Sequence, residues 1–132
     1  MTDTERDRRW SMAKEHYRAG GLCFDNHLFG ASTTRSYYAA YQGMWVALGD
    51  PPLGRWRHHS LIQQFCFGQW TEPPSLPTTL AAYRQRLRTL YDYCTDADYT
   101  AREITQTEAK DGLTLAGEIL VFIAQAKGLV FP

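Results

Sequence analysis

Apolar residues in the second half of the chain recur every three or four positions, which is the spacing of one face of an α-helix. The clearest run comprises Leu80, Tyr83, Leu87, Leu90, Tyr91 and Cys94. No segment instead alternates apolar and polar residues over the length of a β-strand. The sequence therefore predicts an all-α protein whose helices bury their apolar faces against one another.

Capping and breaking residues indicate where the first two helices begin and end. Thr2 and Glu5 have the spacing of a capping box, and we expect Gly20-Gly21 to end the first helix. A central helix is predicted from Leu28 to Leu48, because Gly49-Asp50-Pro51-Pro52 cannot continue it. Small residues within this helix leave room for a close neighbour.

Three further helices follow. We predict a short one from about His58 to Trp70 and, beyond a proline-rich break, a fourth that carries the run from Leu80 to Cys94. The last begins at a second capping box, Thr105 with Glu108. The expected fold is a compact antiparallel bundle of four or five helices.

Composition narrows the class of protein. At 132 residues the chain fits a single domain spanning 1–132, and its 14 Lys plus Arg balance 14 Asp plus Glu. Any affinity for nucleic acid must therefore come from a local patch. Three cysteines without C-x-x-C spacing suggest neither disulfides nor a zinc site. We expect a cytoplasmic protein with no signal peptide, no membrane association, no metal and no cofactor.

Three separated pieces of sequence carry a family resemblance. They are Arg35-Ser36-Tyr37-Tyr38-Ala39 on the central helix, His58 placed before Phe65 on the short helix, and Ala97-Asp98-Tyr99 after the fourth. With these residues in this order, about Ala13 to Ile123 resembles the HEPN family, in its small stand-alone prokaryotic branch. The resemblance implies a HEPN-like bundle of four or five helices that pairs as a homodimer.

Many HEPN domains are metal-independent ribonucleases that use an Arg-x(4–6)-His motif at the dimer seam. Histidine would move the proton of the 2′-hydroxyl while arginine stabilises the charge on the phosphorane. In this branch the arginine stands three residues before Ala-Asp-Tyr; here that position is Cys94, and no histidine follows it. Arg9 and His16 match the spacing but lie outside the motif region. The resemblance therefore predicts a binding module without the usual nuclease activity.

Five residues are the predicted ligand-binding set of such a module: Arg35, Tyr38, His58, Asp98 and Tyr99. Tyr38, like Tyr37, is either a stacking partner for a base or part of the core. Arg35 is expected to pair with Asp98, either within a site or as a structural ion pair. The ligand would be a nucleotide, an RNA or a protein, in a toxin–antitoxin or defence setting that includes a nucleotidyltransferase-like or other defence partner.

Two cationic clusters are further candidates. His58 and His59 follow two arginines and either hold a phosphate at the start of a helix or belong to a solvated loop. Arg84 and Arg88 lie one turn apart, with Arg86 pointing elsewhere, and form either a phosphate-binding stripe or a solvated face.

Two other functions stay open beside the binding module. One is an RNase toxin with a displaced active site, in which Arg35, His58 or His59, and Asp98 would be catalytic. The other is a structural adaptor that uses exposed aromatic residues. The aromatic residues considered for such a surface, or for a dimer face, are Trp45, Trp56, Phe65, Phe67 and Trp70.

Overall fold

The computed structural model describes residues 1–67 and 78–132, which form five α-helices and a short 3₁₀ turn and include no β-strand. The helices are α1 (Asp3–Asp25), α2 (Phe29–Leu48), α3 (His58–Phe67), α4 (Tyr83–Tyr99) and α5 (Gln106–Lys127), and the 3₁₀ turn (Thr78–Ala82) precedes α4. The predicted all-α bundle is confirmed. Within the described ranges, no helix combines the length and the apolar character needed to cross a bilayer.

Side-chain contacts give the directions of the helices. Early residues of α1 meet late residues of α2, since Arg9 contacts Gln42 whereas Gly20 approaches Ser36. Late residues of α4 likewise meet early residues of α2, since Asp98 bonds to Thr34. Both α1 and α4 are therefore antiparallel to α2, and for α1 the short connection to α2 predicts this direction.

Helix α2 is the centre of the bundle and contacts each of the other four helices. It runs parallel to α5, so these two helices lie diagonally across the bundle. Gly43 allows them to pack closely against each other. A Cβ atom at Gly43 would lie 2.5 Å from Cδ2 of Leu120 and 3.2 Å from Cδ1 of Ile123. The small residues predicted to admit a close neighbour do so here.

Most predicted helix boundaries are confirmed. Thr2 and Thr105 each cap a helix in a complete capping box, in which the threonine hydroxyl accepts from the backbone N–H of a glutamate three residues later. The central helix begins at Phe29, with Leu28 as its cap, and ends at Leu48. The short helix begins at His58 as predicted and is described to Phe67, so its predicted end at Trp70 lies outside the described residues.

The predicted end of the first helix at Gly20-Gly21 is wrong, because α1 continues to Asp25. Gly20 does not stop the helix: its missing side chain lets α1 lie against α2. A Cβ atom at Gly20 would lie 3.3 Å from Oγ of Ser36, and the carbonyl of Gly20 accepts a 2.8 Å hydrogen bond from Ser32. A glycine in a helix can thus allow close packing against a neighbouring helix, as well as mark the end of a helix.

The aromatic residues predicted to favour a dimer divide between core and surface. Trp45 and Phe65 are buried within the single chain, and Trp56 is half-buried. Phe67 is exposed, and Trp70 lies outside the described residues. The bundle therefore buries much of this aromatic surface by itself, and the homodimer stays a prediction.

Candidate functional site

An open groove of about 430 Å³ lies between α3 and α4, and we call it the α3–α4 groove. Among the described residues, its polar lining consists of His59, Ser60, Gln63, Gln64, Arg84 and Arg88. None of the described residues that line it is acidic. The groove therefore presents cations and neutral hydrogen-bonding groups, which is the chemistry that suits an anionic ligand.

Arg84 lines the groove and is held in position there. Its Nε atom donates a 3.0 Å hydrogen bond to Oε1 of Gln63, and its guanidinium carbon lies 5.9 Å from the ring centroid of Phe67. Its Nη atoms make no hydrogen bond to a side chain or backbone of the described residues. The two ends of the guanidinium fork are thus available to a ligand while the stem is already ordered.

The three arginines of α4 separate as the sequence predicted. Arg84 and Arg88 line the groove, one helical turn apart. Arg86 turns toward α5, where its Nη1 atom lies 3.0 Å from Oε2 of Glu118. Arg84 and Arg88 therefore lie on a concave surface, as a phosphate-binding stripe requires. Arg86 lies on another face of the same helix and can serve as a control for the loss of arginine charge.

The connection between α2 and α3 is fixed by Trp56. Its indole Nε1 donates to the carbonyl of Gly49 at 2.8 Å, and its own carbonyl accepts from the hydroxyl of Tyr41 at 2.8 Å. Arg55 and Arg57 flank this anchored tryptophan, and His58 begins the helix. The cations of this segment are therefore gathered at the N-terminus of α3, which carries partial positive charge of its own.

His58 is wedged between α2 and α4. Its Nδ1 atom lies 2.6 Å from the hydroxyl of Tyr37, and its ring stacks on Tyr91 with centroids 4.6 Å apart and planes 21° apart. Burial first, then the neighbouring His59 and Arg55, lower the pKa of His58 below its usual range. Burial keeps the pKa of Tyr37 far above its usual range, so the hydroxyl remains protonated and can donate to a neutral His58.

His59 has a different environment from its neighbour. It is exposed and lines the α3–α4 groove, and the edge of its ring contacts Tyr91, with centroids 5.3 Å apart. Tyr91 thus joins the groove to the aromatic cluster around His58. Of the two histidines, His59 is free to meet a ligand, whereas His58 holds the helix start in place.

The predicted pair Arg35 and Asp98 is not formed. Nη1 of Arg35 lies 3.2 Å from Nδ1 of His16 on α1, while Asp98 accepts a 2.9 Å hydrogen bond from the hydroxyl of Thr34. Adjacent residues of a helix point about 100° apart, so Thr34 faces α4 and Arg35 faces α1. Burial first, then Arg35, lower the pKa of His16.

Tyr38 lies among several of the predicted ligand-binding residues. Its ring centroid is 6.3 Å from that of His58 and 6.1 Å from that of His16. Burial raises its pKa, and the nearby Cys94, Asp98 and Tyr99 raise it further. These residues share one region of the bundle, but Tyr99 itself is 83% exposed. Tyr37, by contrast, is fully buried, which confirms its core role.

Neither of the remaining sequence candidates forms a site. Arg9 bonds to Gln42 at 3.0 Å and stacks on Trp45 at 3.5 Å, well away from the partners of His16. Burial, followed by Asp98, raises the pKa of the Cys94 thiol to about 11, which makes it a poor nucleophile. Within residues 1–67 and 78–132, no three His, Cys, Asp or Glu side chains are arranged to hold a metal ion.

Sequence reasoning missed Gln63 and did not connect Phe67 with the arginines. The signal was present: His59, Gln63 and Phe67 follow one another at four-residue intervals, which is one stripe of a helix. Comparison with protein-family models, with curated proteins and with solved structures found no match to this chain. The HEPN resemblance therefore remains a prediction from the sequence.

Proposed function

We propose that the chain is a HEPN-like binding module that holds the phosphate groups of an RNA or a nucleotide in the α3–α4 groove. The main observation in support of this proposal is that Arg84 and Arg88 both line a groove whose described residues include no carboxylate. Four residues of an α-helix rise about 6 Å. The two guanidinium groups can therefore serve neighbouring phosphates of one strand, or two phosphates of one nucleotide.

The distribution of charge supports an anionic ligand. Residues 51–67 and 78–91 contain five arginines and no aspartate or glutamate. Within the described residues, only Arg86 of these five forms a salt bridge. A protein of zero net charge thus keeps four arginines without a carboxylate partner among the described residues, and this local field favours a polyanion.

The contacts of the catalytic candidates favour binding over cleavage. Nδ1 of His58 is occupied by Tyr37, Arg35 contacts His16, and Asp98 bonds to Thr34. A displaced nuclease site would need these groups to converge on one phosphate. The toxin–antitoxin or defence setting, with a nucleotidyltransferase-like or other defence partner, is proposed on the family resemblance alone.

The test is binding of fluorescently labelled, mixed-sequence RNA to the wild type, to an Arg84→Gln/Arg88→Gln variant and to Arg86→Gln. We expect the double variant to bind at least about tenfold more weakly, because each charged hydrogen bond contributes about 1.5–3 kcal/mol. The slope of log affinity against log salt should fall by about 1.4, since each phosphate contact on a single strand contributes about 0.7.

Arg86→Gln removes one arginine charge from the same helix and should leave RNA affinity nearly unchanged. If it weakened binding by about half as much in log affinity as the double variant does, only net charge would matter, and a site in the groove would be contradicted. Incubation of the RNA in EDTA adds an independent readout. Cleavage that disappears in a His58→Ala/His59→Ala variant would support the nuclease alternative instead.

A further inference from the structure

Phe67 is 52% exposed, and its ring centroid lies 5.9 Å from the guanidinium carbon of Arg84, which lines the α3–α4 groove. Phe67 is the last described residue of α3 and lies one turn beyond Gln63, on the same stripe as His59. The guanidinium of Arg84 contacts both Gln63 and Phe67. An aromatic face is thereby placed directly beside the cation that the proposed function assigns to phosphate.

We propose that the α3–α4 groove takes single-stranded nucleic acid, with one unpaired base stacked on Phe67 and the flanking phosphates held by Arg84 and Arg88. This inference rests on the proposed function and adds the class of substrate. Aromatic side chains accept any base by stacking, while arginines follow the backbone, and this combination is typical of proteins that bind single strands.

The exposed ring of Phe67 favours a single strand over a duplex. The open groove of about 430 Å³ has room for one nucleotide. In a duplex the bases already stack on each other, so none would be available to Phe67. A duplex would contact only the arginines and would gain nothing from the exposed ring.

Neutral polar groups line the groove beside the arginines. Gln63 uses Oε1 to accept from Arg84, which leaves its NH₂ group as a donor, and Ser60 and Gln64 line the same space. These groups suit the sugar hydroxyls and base edges of a nucleotide. An acidic peptide would satisfy the arginines and bond to the amides through its backbone, but its acidic side chains offer no planar face to stack on Phe67.

The experiment uses short single-stranded RNA and DNA of one sequence, each carrying 2-aminopurine, and a duplex of that sequence. The proteins are the wild type, Phe67→Leu, Phe67→Trp and the double arginine variant. We expect Phe67→Leu to bind single strands about five- to a hundredfold more weakly, because that is the contribution of one stacked base. Its salt dependence should not change, because no phosphate contact is lost.

Stacking has its own optical signal. The fluorescence of 2-aminopurine should be quenched by the wild type and by Phe67→Trp, and much less by Phe67→Leu at saturating protein. Duplex affinity should be low and equal in the wild type and Phe67→Leu. Binding of either sugar type supports the inference, and the ratio of RNA to DNA affinity measures the contribution of the 2′-hydroxyl.

Two failures are distinguishable. If Phe67→Leu binds and quenches like the wild type while the arginine variant loses affinity, the stacking inference is wrong and the proposed function stands. If no oligonucleotide binds, or an acidic peptide competes equally well, the proposed function is wrong as well. Phe67→Trp guards against misfolding, since it keeps an aromatic ring at this half-exposed position and should bind at least as well as the wild type.

Discussion

At the scale of single residues, Gly43 decides how closely the two diagonal helices approach. Its neighbours Leu120 and Ile123 are both completely buried, so neither side chain has solvent-filled space into which it could move. A closely packed interior accommodates even one additional methyl group only by shifting its neighbours. A side chain at position 43 is therefore expected to destabilise the fold.

We expect Gly43→Ala to lower the free energy of unfolding by about 1 kcal/mol, since overpacking costs about 1–3 kcal/mol and the higher helix propensity of alanine returns about 1 kcal/mol. Gly21→Ala is the control, because a Cβ atom there has nothing within 4 Å. That variant should gain about 0.5–1 kcal/mol. Urea denaturation measures both, and a gain in both variants would contradict the close approach of α2 and α5.

Single residues also mark the limit of what the sequence could predict about the site. His58 was correctly predicted to lie at the start of α3, but its hydrogen bond to Tyr37 depends on how α3 is rotated against α2. Arg35 and Asp98 were expected to pair. Thr34, the preceding residue, points about 100° away from Arg35 around the axis of α2, so it is Thr34 that bonds to Asp98. The sequence shows which residue types are present, whereas their hydrogen-bond partners depend on how three helices are rotated relative to one another.

At the scale of elements, the start of α5 combines a capping box with an arginine. The carboxylate of Glu108 accepts from the backbone N–H of Thr105 and lies 2.9 Å from Nη1 of Arg102, which also contacts Asp96 at the end of α4. The arginine thus links the end of one helix to the start of the next. Arg102 first, then the cap, lowers the pKa of Glu108 from 4.5 to about 2.

This shift has a direct consequence in acid. A carboxyl whose pKa is lower in the folded state stabilises the fold above its ordinary value of 4.5, and the contribution is lost as the pH falls toward 2. We expect Glu108→Gln, which keeps a cap acceptor, to be less stable than the wild type at pH 6. The difference in free energy of unfolding should shrink between pH 4.5 and 2; a difference that does not vary with pH would exclude this cause.

Helix ends divided into those the sequence could predict and those it could not. The two capping boxes were reliable because both hydrogen-bonding groups lie within four residues of sequence. Gly20 misled because a glycine that ends a helix and a glycine that packs against a neighbour look alike in sequence. Only the nearby Ser32 and Ser36 of α2 distinguish the two cases.

At the scale of the whole molecule, a net charge of zero conceals an uneven distribution. Most of the acidic residues lie in α1, the second half of α4 and α5, while α3 with the residues just before it and the first half of α4 are cationic. The sequence could place Arg84 and Arg88 on one face because that placement follows from a single helix. It could not predict the groove, because the groove depends on how a second helix carrying Gln63 and Phe67 lies against the first.

The α3–α4 groove has walls from two helices that are separate in sequence, so it exists only while α3 is docked on α4. A ligand that fills the groove binds the native chain and not the unfolded one. By mass action, it therefore raises the free energy of unfolding as the groove becomes occupied. At a free concentration of about a hundred times Kd, that increase is about 2.7 kcal/mol. We expect RNA to raise the melting temperature of the wild type in a dye-free thermal scan, and not that of Arg84→Gln/Arg88→Gln. The same scan would rank a library of nucleotides and oligonucleotides without labelling any of them.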